Sequence, residues 1–148
     1  MLSYMTYRQA IPIVLGLAVV VFIFGRPSAS SGAEPGWYTD FDRAQAEAKK
    51  TGRLMMVDFN ASWCGPCQMY KQDVFPTTDF KQATKDVVLV DIDIDQNQAL
   101  AQKYGISGIP DIRFISPQGN QIAALEGYDG ADPLLAQIAD AKKALAKN

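Results

Sequence analysis

The sequence predicts an α/β fold in which a mixed central sheet carries helices on both faces, preceded by an N-terminal hydrophobic segment. Short apolar runs of strand length alternate with helical patterns, which indicates strands joined by helices. Near the C-terminus, two strand patterns flank a turn-rich stretch, which is typical of an antiparallel hairpin, and a last helical pattern follows. The residues from Glu34 onward suit one domain of ordinary size.

Apolar periodicity and turn residues predict each element in order. The predicted strands occupy residues 54–59, 87–94, 112–115 and 121–125. The predicted helices run over about 41–50, 66–74, 77–83, 96–103 and 132–146. Asp40 or Asp42 can cap the first helix and Gly52 can end it. Asp132, followed by Pro133, is expected to cap the last helix, because proline is tolerated in a first helical turn.

The first 26 residues are predicted to be either a signal peptide or an uncleaved membrane anchor. Residues 10–25 carry no charge and are flanked by Arg8 and Arg26. As a helix they would reach roughly 24 Å, short of a hydrocarbon core of about 30 Å. The small residues 31–33 could form a cleavage site, whereas Arg26 fits an anchor, so both interpretations stay open. In either case the domain is expected on the non-cytoplasmic side of the membrane, periplasmic or equivalent.

Residues 27–36 are rich in Ser, Gly, Ala and Pro and are predicted to be a linker, with residues 37–148 forming the folded domain. The chain has 14 basic and 16 acidic side chains, and two of the basic ones, Arg8 and Arg26, precede the domain. The domain is therefore acidic, and it shows no basic patch. These features argue against a nucleic-acid partner.

The chemistry is expected at Cys64 and Cys67, the only two cysteines, which can form a disulfide only with each other within the chain. Their sulfurs can bond if Cys67 lies in the first turn of a helix. Cys64 would then sit at the helix start, where the dipole favours a thiolate, and would be the attacking sulfur. The more buried Cys67 would be the resolving thiol. Gly65 permits the tight turn, and Pro66 suits a first helical turn.

No metal or other cofactor is predicted, since a structural zinc site needs four Cys or His ligands and the chain has two cysteines and no histidine.

The stretch VDFNASWCGPC at residues 57–67 resembles the active-site strand and turn of the thioredoxin family. Residues 93–97, 104–106 and 108–110 and Gly127 follow in that family's order and spacing. The resemblance extends from about Phe41 to the C-terminus and implies a thioredoxin-like fold. Residues 37–41 and 73–75 are more similar to exported thioredoxin-like domains, such as the C-terminal domain of the bacterial transmembrane thiol reductase DsbD.

Asp58 interrupts an apolar strand, where burial of a carboxylate is costly and should raise its pKa. The resemblance implies that Asp58 lies behind the cysteines and accepts the proton of Cys67. The alternative is that Asp58 points to the polar side of a half-exposed strand.

The resemblance also implies a docking surface for client proteins. The peptide bond before Pro110 would be cis and would face the cysteines, and the backbone of Ile109 would pair with an extended client chain. Trp63, Gly65, Pro66 and Gly127 would belong to the same surface. An ordinary loop proline is the alternative at position 110.

Three acidic residues depart from the family's pattern. Asp91 occupies the position where thioredoxins usually carry a lysine, and we expect its charge to repel Asp58 and raise one pKa further. Asp111 and Glu126 replace uncharged residues beside the docking surface. We expect both to add negative charge there and to disfavour acidic clients.

The sequence thus predicts a monomeric thiol-disulfide oxidoreductase that reduces disulfides of exported proteins and is itself reduced by a membrane thiol donor. An exported oxidase or isomerase is the alternative within the same chemistry. A thioredoxin-fold module that binds clients without catalysis is the alternative outside it.

Overall fold

The computed structural model describes residues 36–147. The predicted signal peptide or anchor, including residues 10–25, and all but the last residue of the predicted linker lie outside the described residues. Within residues 36–147, no helix is both long enough and apolar enough to span a bilayer.

Four strands form one mixed sheet, in the order β2-β1-β3-β4. Strands β1 and β2 are parallel, whereas β1 pairs antiparallel with β3 and β3 with β4. Tyr38 forms an isolated parallel bridge with Val90, which extends the sheet beyond β2. The strands are β1 (Met55–Asn60), β2 (Val88–Asp93), β3 (Asp111–Ile115) and β4 (Gln121–Glu126).

Helices cover both faces of this sheet, which confirms the predicted fold class. The helices are α1 (Phe41–Thr51), α2 (Gly65–Met69), α3 (Thr78–Thr84), α4 (Gln98–Lys103) and α5 (Ala131–Leu145). A π-helical segment, Tyr70–Val74, continues α2. Side chains of α1 and α4 pack in the cluster on one face, and those of α3, α5 and the π-helical segment pack in the cluster on the other.

The central strand β1 is buried along its whole length, and its side chains alternate between the two faces. Met55, Val57 and Phe59 belong to the cluster on the α1 and α4 side. Met56 belongs to the opposite cluster. Asp58 has the same strand parity as Met56, so it points toward the face that carries the active-site helix.

The predicted caps of the first helix are present, whereas the predicted cap of the last helix is not. Asp40 is the N-cap of α1 and accepts a hydrogen bond from the Arg43 backbone N–H at 3.0 Å, whereas Asp42 lies in the first turn. Gly52 ends α1 in the left-handed conformation, with φ 68°. The prediction for Asp132 was wrong. The last helix already begins at Ala131 after Gly130, whose φ of 87° turns the chain, so Asp132 lies inside the first turn.

Candidate active site

Cys64 and Cys67 follow the C-terminal end of β1 and are joined by a disulfide at the start of α2. Cys64 is the N-cap of the helix, and its Sγ accepts a hydrogen bond from the Cys67 backbone N–H at 3.2 Å. Cys67 is fully buried, and Cys64 is 4% exposed. The expected order of burial is confirmed, although Cys64 itself lies only just at the surface. Gly65 and Pro66 are exposed beside it.

Ile109 and Pro110 lie where the resemblance implied. The Ile109–Pro110 peptide bond is cis, and the Ile109 side chain packs against the cluster formed by the two cysteines and Ala61. The backbone N–H of Gly127 donates to the Pro110 carbonyl at 2.8 Å. Of the sequence-predicted residues, Ile109 thus lies against the cysteines, and Gly127 is hydrogen-bonded to the neighbouring Pro110.

Trp63 presents the largest exposed apolar surface near the cysteines, at 66% exposure. Its indole Nε1 donates a hydrogen bond to the Asp95 carboxylate at 2.8 Å, which fixes the ring over the loop after β2. Met69, on the helix after Cys67, is also exposed. Two large apolar side chains close in sequence to the cysteines, Trp63 and Met69, are therefore exposed to solvent.

Tyr70 connects the active-site helix to the loop that contains Gly127. Its ring is fully buried, and its hydroxyl donates to the Gly127 carbonyl at 3.3 Å. The same hydroxyl accepts from the Asp129 backbone N–H at 3.4 Å. Sequence reasoning did not identify Tyr70, because a tyrosine one turn after a cysteine is most simply interpreted as core.

Asp58 is completely buried, so the alternative of a half-exposed strand face is wrong. Its Oδ2 accepts a hydrogen bond from Asn60 Nδ2 at 3.2 Å, while its Oδ1 has no hydrogen-bond partner among the described residues. Burial is the largest cause that raises the pKa of Asp58 to about 8. The Asp91 carboxylate raises this pKa as well, and Lys71 and Asn60 oppose the rise. The expected direction of the pKa shift is confirmed.

The expected proximity of Asp91 is also confirmed, since Asp58 and Asp91 are register partners in the parallel pair β1–β2. Asp91 is nevertheless paired with a cation. Lys71, in the π-helical segment, donates from Nζ to Asp91 Oδ2 at 2.8 Å and to Asn60 Oδ1 at 3.1 Å. Asn60 Nδ2 donates to Asp91 Oδ1 at 2.6 Å. We call Asp58, Asn60, Lys71 and Asp91 the buried polar cluster.

The negative charge expected from Asp111 and Glu126 is reduced but not removed by a neighbouring guanidinium, so the exclusion of acidic clients stays a prediction. Asp111 is buried on the α1 side of the sheet, and both its oxygens accept from Arg113, at 2.6 Å from Nε and 2.5 Å from Nη2. Glu126 lies opposite Asp111 on β4, with 3.6 Å between its carboxylate and the same guanidinium. One guanidinium thus offsets part of the charge of both carboxylates. The pairing of Arg113 with Asp111, two residues away on β3, could have been inferred from strand alternation, whereas its approach to Glu126 depends on the register of β3 and β4.

The site combines a disulfide at a helix N-terminus, a buried carboxyl oxygen that has no hydrogen-bond partner within residues 36–147, and an exposed tryptophan directly before the first cysteine. These are the parts that thiol-disulfide exchange needs: an ionisable sulfur, a proton acceptor and a surface for the client. Within residues 36–147, no three His, Cys, Asp or Glu side chains lie close enough together to hold a metal ion.

The chain is similar in sequence to known thiol-disulfide exchange proteins and thioredoxins. The thioredoxin-like family model matches residues 36–117. The thiol:disulfide interchange protein DsbD of Cronobacter sakazakii is 32% identical over 79% of this chain and 23% of its own length. A thioredoxin H-type protein of Oryza sativa subsp. indica is 33% identical over 51% of this chain and 60% of its own length. The chain thus spans less than a quarter of the DsbD relative.

A solved thioredoxin structure has a similar fold. The solution structure of a thioredoxin from Thermus thermophilus superposes with a TM-score of 0.64 at 25% identity, and the match covers 70% of this chain and 84% of that one.

Proposed function

Because the chain belongs to the thioredoxin family, we propose that it is a thiol-disulfide oxidoreductase that reduces disulfides of exported proteins through Cys64 and Cys67. The observation that carries the proposal is the position of Cys64, which is both the N-cap of α2 and the partner of Cys67 in a disulfide. A sulfur at a helix N-terminus is stabilised as a thiolate by the dipole and by backbone N–H groups.

In the proposed cycle, the reduced enzyme presents Cys64 as a thiolate. The thiolate attacks one sulfur of a client disulfide, the client S–S bond breaks, and the other client sulfur leaves as a thiolate that takes up a proton. Cys67, after losing its proton, then attacks Cys64 Sγ in the mixed disulfide. The Cys64–Cys67 bond forms and the second client sulfur leaves as a thiolate. Two electrons thereby pass from the enzyme to the client.

Asp58 is proposed to accept the proton of Cys67 during the second step. Its burial and raised pKa, about 8, suit this role, because a carboxylate poised near neutral pH can both take and release a proton. The unpaired Oδ1 leaves one oxygen available for that proton. A carboxylate with an ordinary pKa would be a much weaker base toward a thiol.

The client is proposed to dock against the surface formed by Trp63, Gly65, Pro66, Ile109, Pro110 and Gly127. The exposed indole of Trp63 provides apolar contact area, and Ile109 packs against the cysteines, where its backbone could pair with an extended chain. The Gly-Pro pair between the cysteines resembles reducing members of the family, which favours reduction as the direction.

Two further proposals concern the whole protein. The N-terminal segment, whether cleaved or retained as an anchor, would place the domain on the non-cytoplasmic side, and a membrane thiol would then reduce the Cys64–Cys67 disulfide again. We expect the domain to act as a monomer.

Insulin reduction by wild type, Cys64→Ser and Cys67→Ser proteins tests the function. We expect turnover only in the wild type, and we expect Cys67→Ser alone to retain clients as mixed disulfides that dithiothreitol releases. Reduced insulin precipitates, so turbidity follows the reaction. Equal turbidity traces for all three proteins would refute the catalytic proposal and support a binding module. A reduction potential well above about −200 mV would instead indicate an oxidant.

A further inference from the structure

The buried polar cluster contains one cation and two carboxylates, and its hydrogen bonds define the role of each member. Lys71 can only donate, so the Asn60 atom that faces it must be the amide oxygen. The Asn60 Nδ2 group is then left to donate to Asp91 and to Asp58, at 2.6 Å and 3.2 Å. Within residues 36–147, Asn60 is the one side chain that donates to the Asp58 carboxyl, and Lys71 therefore fixes its orientation.

Charge reinforces this geometry. Asp91 lies beside Asp58 in the parallel strand pair and is itself buried. Without a cation, its carboxylate would repel any charge on Asp58 in a region of low dielectric. Lys71 Nζ, at 2.8 Å from Asp91 Oδ2, offsets that repulsion. The ammonium comes from the π-helical segment one turn after Cys67, whereas the β2 position at which thioredoxins usually carry a lysine holds Asp91.

We propose that Lys71 is a positioning residue that sets the pH at which Asp58 exchanges its proton, by neutralising Asp91 and orienting Asn60. The inference deepens the proposed function and rests on it, since Asp58 matters only if Cys67 gives up a proton. The other charged group that acts on Asp58 is Asp111 of β3, and Asp58 in turn raises the pKa of Tyr70 in the π-helical segment. Arg113 already pairs with Asp111, so Lys71 is the cation that remains to balance Asp91.

A purely structural role would be simpler: Lys71 would only compensate the burial of Asp91. The two possibilities differ in one observable, the protonation midpoint of Asp58. If Lys71 contributed only to the stability of the fold, its loss would lower the unfolding free energy of the protein and would leave that midpoint unchanged. The positioning role moves the midpoint in directions that depend on which charge is removed.

The test titrates Asp58 in the full-length oxidised protein, in which neither cysteine carries a proton. The carboxyl carbon of Asp58 is followed by ¹³C NMR against pH and identified by its absence in Asp58→Asn. We expect Lys71→Met to raise the midpoint by about one pH unit or more, and Lys71→Arg to keep it close to wild type. We expect Asp91→Asn to lower it, because the repulsion is lost while the ammonium remains.

The double variant Lys71→Met/Asp91→Asn carries neither charge. Its midpoint should lie above that of Asp91→Asn, so this comparison tests the inference even if Lys71→Met alone does not fold. An unchanged or lowered midpoint on loss of Lys71, in either background, would overturn the inference. The titration needs no client and no turnover. If the wild type fails to reduce insulin but the Asp58 midpoint shifts as expected in the variants, the proposed function is rejected. If the wild type is active but the Asp58 midpoint does not shift in the variants, only the role of Lys71 is rejected.

Discussion

Replacement of Asp58 by asparagine should stabilise the oxidised protein at neutral pH. The wild-type carboxyl is fully buried, and its Oδ1 has no partner among the described residues. To ionise in the folded protein it must lose its hydration without full compensation. Asparagine keeps the shape and an oxygen that can accept from Asn60, but it never ionises. The variant therefore removes the cost of keeping this group protonated at a pH at which the unfolded chain releases the proton, with little change in packing.

The sign and size follow from linkage. The pKa of Asp58 is about 8 in the folded protein against an ordinary value of 3.8. Between these two pH values the folded state holds a proton that the unfolded state has released, so stability falls as pH rises, by about 1.4 kcal/mol per pH unit at most. From pH 5 to pH 7 the loss is on the order of 3 kcal/mol. The contribution of the protonated Asp58 to the unfolding free energy is fully present below pH 3.8 and is lost above pH 8.

Urea denaturation of the oxidised proteins, followed by far-UV circular dichroism at pH 5, 6, 7 and 8, measures this effect. The free-energy difference between Asp58→Asn and wild type should grow with pH in favour of the variant. Asp140→Asn is a matched control, since Asp140 is exposed and its pair with Lys143 is of the kind that contributes little. A difference for Asp58→Asn that stays constant over this range would refute the reasoning.

Three further changes test other parts of the structure. Arg113→Met leaves the buried Asp111 carboxylate without its cation and should lower the unfolding free energy by about 3 kcal/mol in urea denaturation, whereas a loss below 1 kcal/mol would contradict a buried ion pair. Tyr70→Phe removes the hydroxyl that joins the active-site helix to the Gly127 loop, and we expect KM for a client to rise with kcat nearly unchanged in steady-state insulin reduction; a fall in kcat alone would argue against a docking role. Asp40→Ala removes the N-cap of α1 and should lower the unfolding free energy by about 1 kcal/mol, and an unchanged urea midpoint would show that the cap contributes nothing.

Local sequence was enough to predict the strands, most helix ends and the positions of Cys64, Cys67 and Asp58. These features depend on spacing along one segment, on periodicity or on a polar residue inside an apolar run. The strand alternation rule would also have placed Asn60 beside Asp58, since the two are separated by one residue on β1.

The cation partners could not be predicted in the same way. Whether Lys71 contacts Asp91 depends on how β2 pairs with β1 and on how the π-helical segment turns, and neither is encoded in a short pattern. Arg113 meets Glu126 only through the register of β3 and β4. Sequence reasoning therefore counted Asp91 and Glu126 as unbalanced charges, because it could identify the acidic side chains but not the bases that strand register brings beside them. The pairing of Asp111 with Arg113, by contrast, lies within β3 and was open to the alternation rule.

The difference in exposure between the two sulfurs has a consequence for the order of events. Cys67 is sealed from solvent, and Cys64 shows 4% of its surface. In the proposed cycle, a client disulfide and a donor thiol would therefore both have to reach Cys64, the more exposed of the two sulfurs. We expect the two partners to bind at the same place in turn, so that electrons are taken up and delivered in separate encounters without a ternary complex.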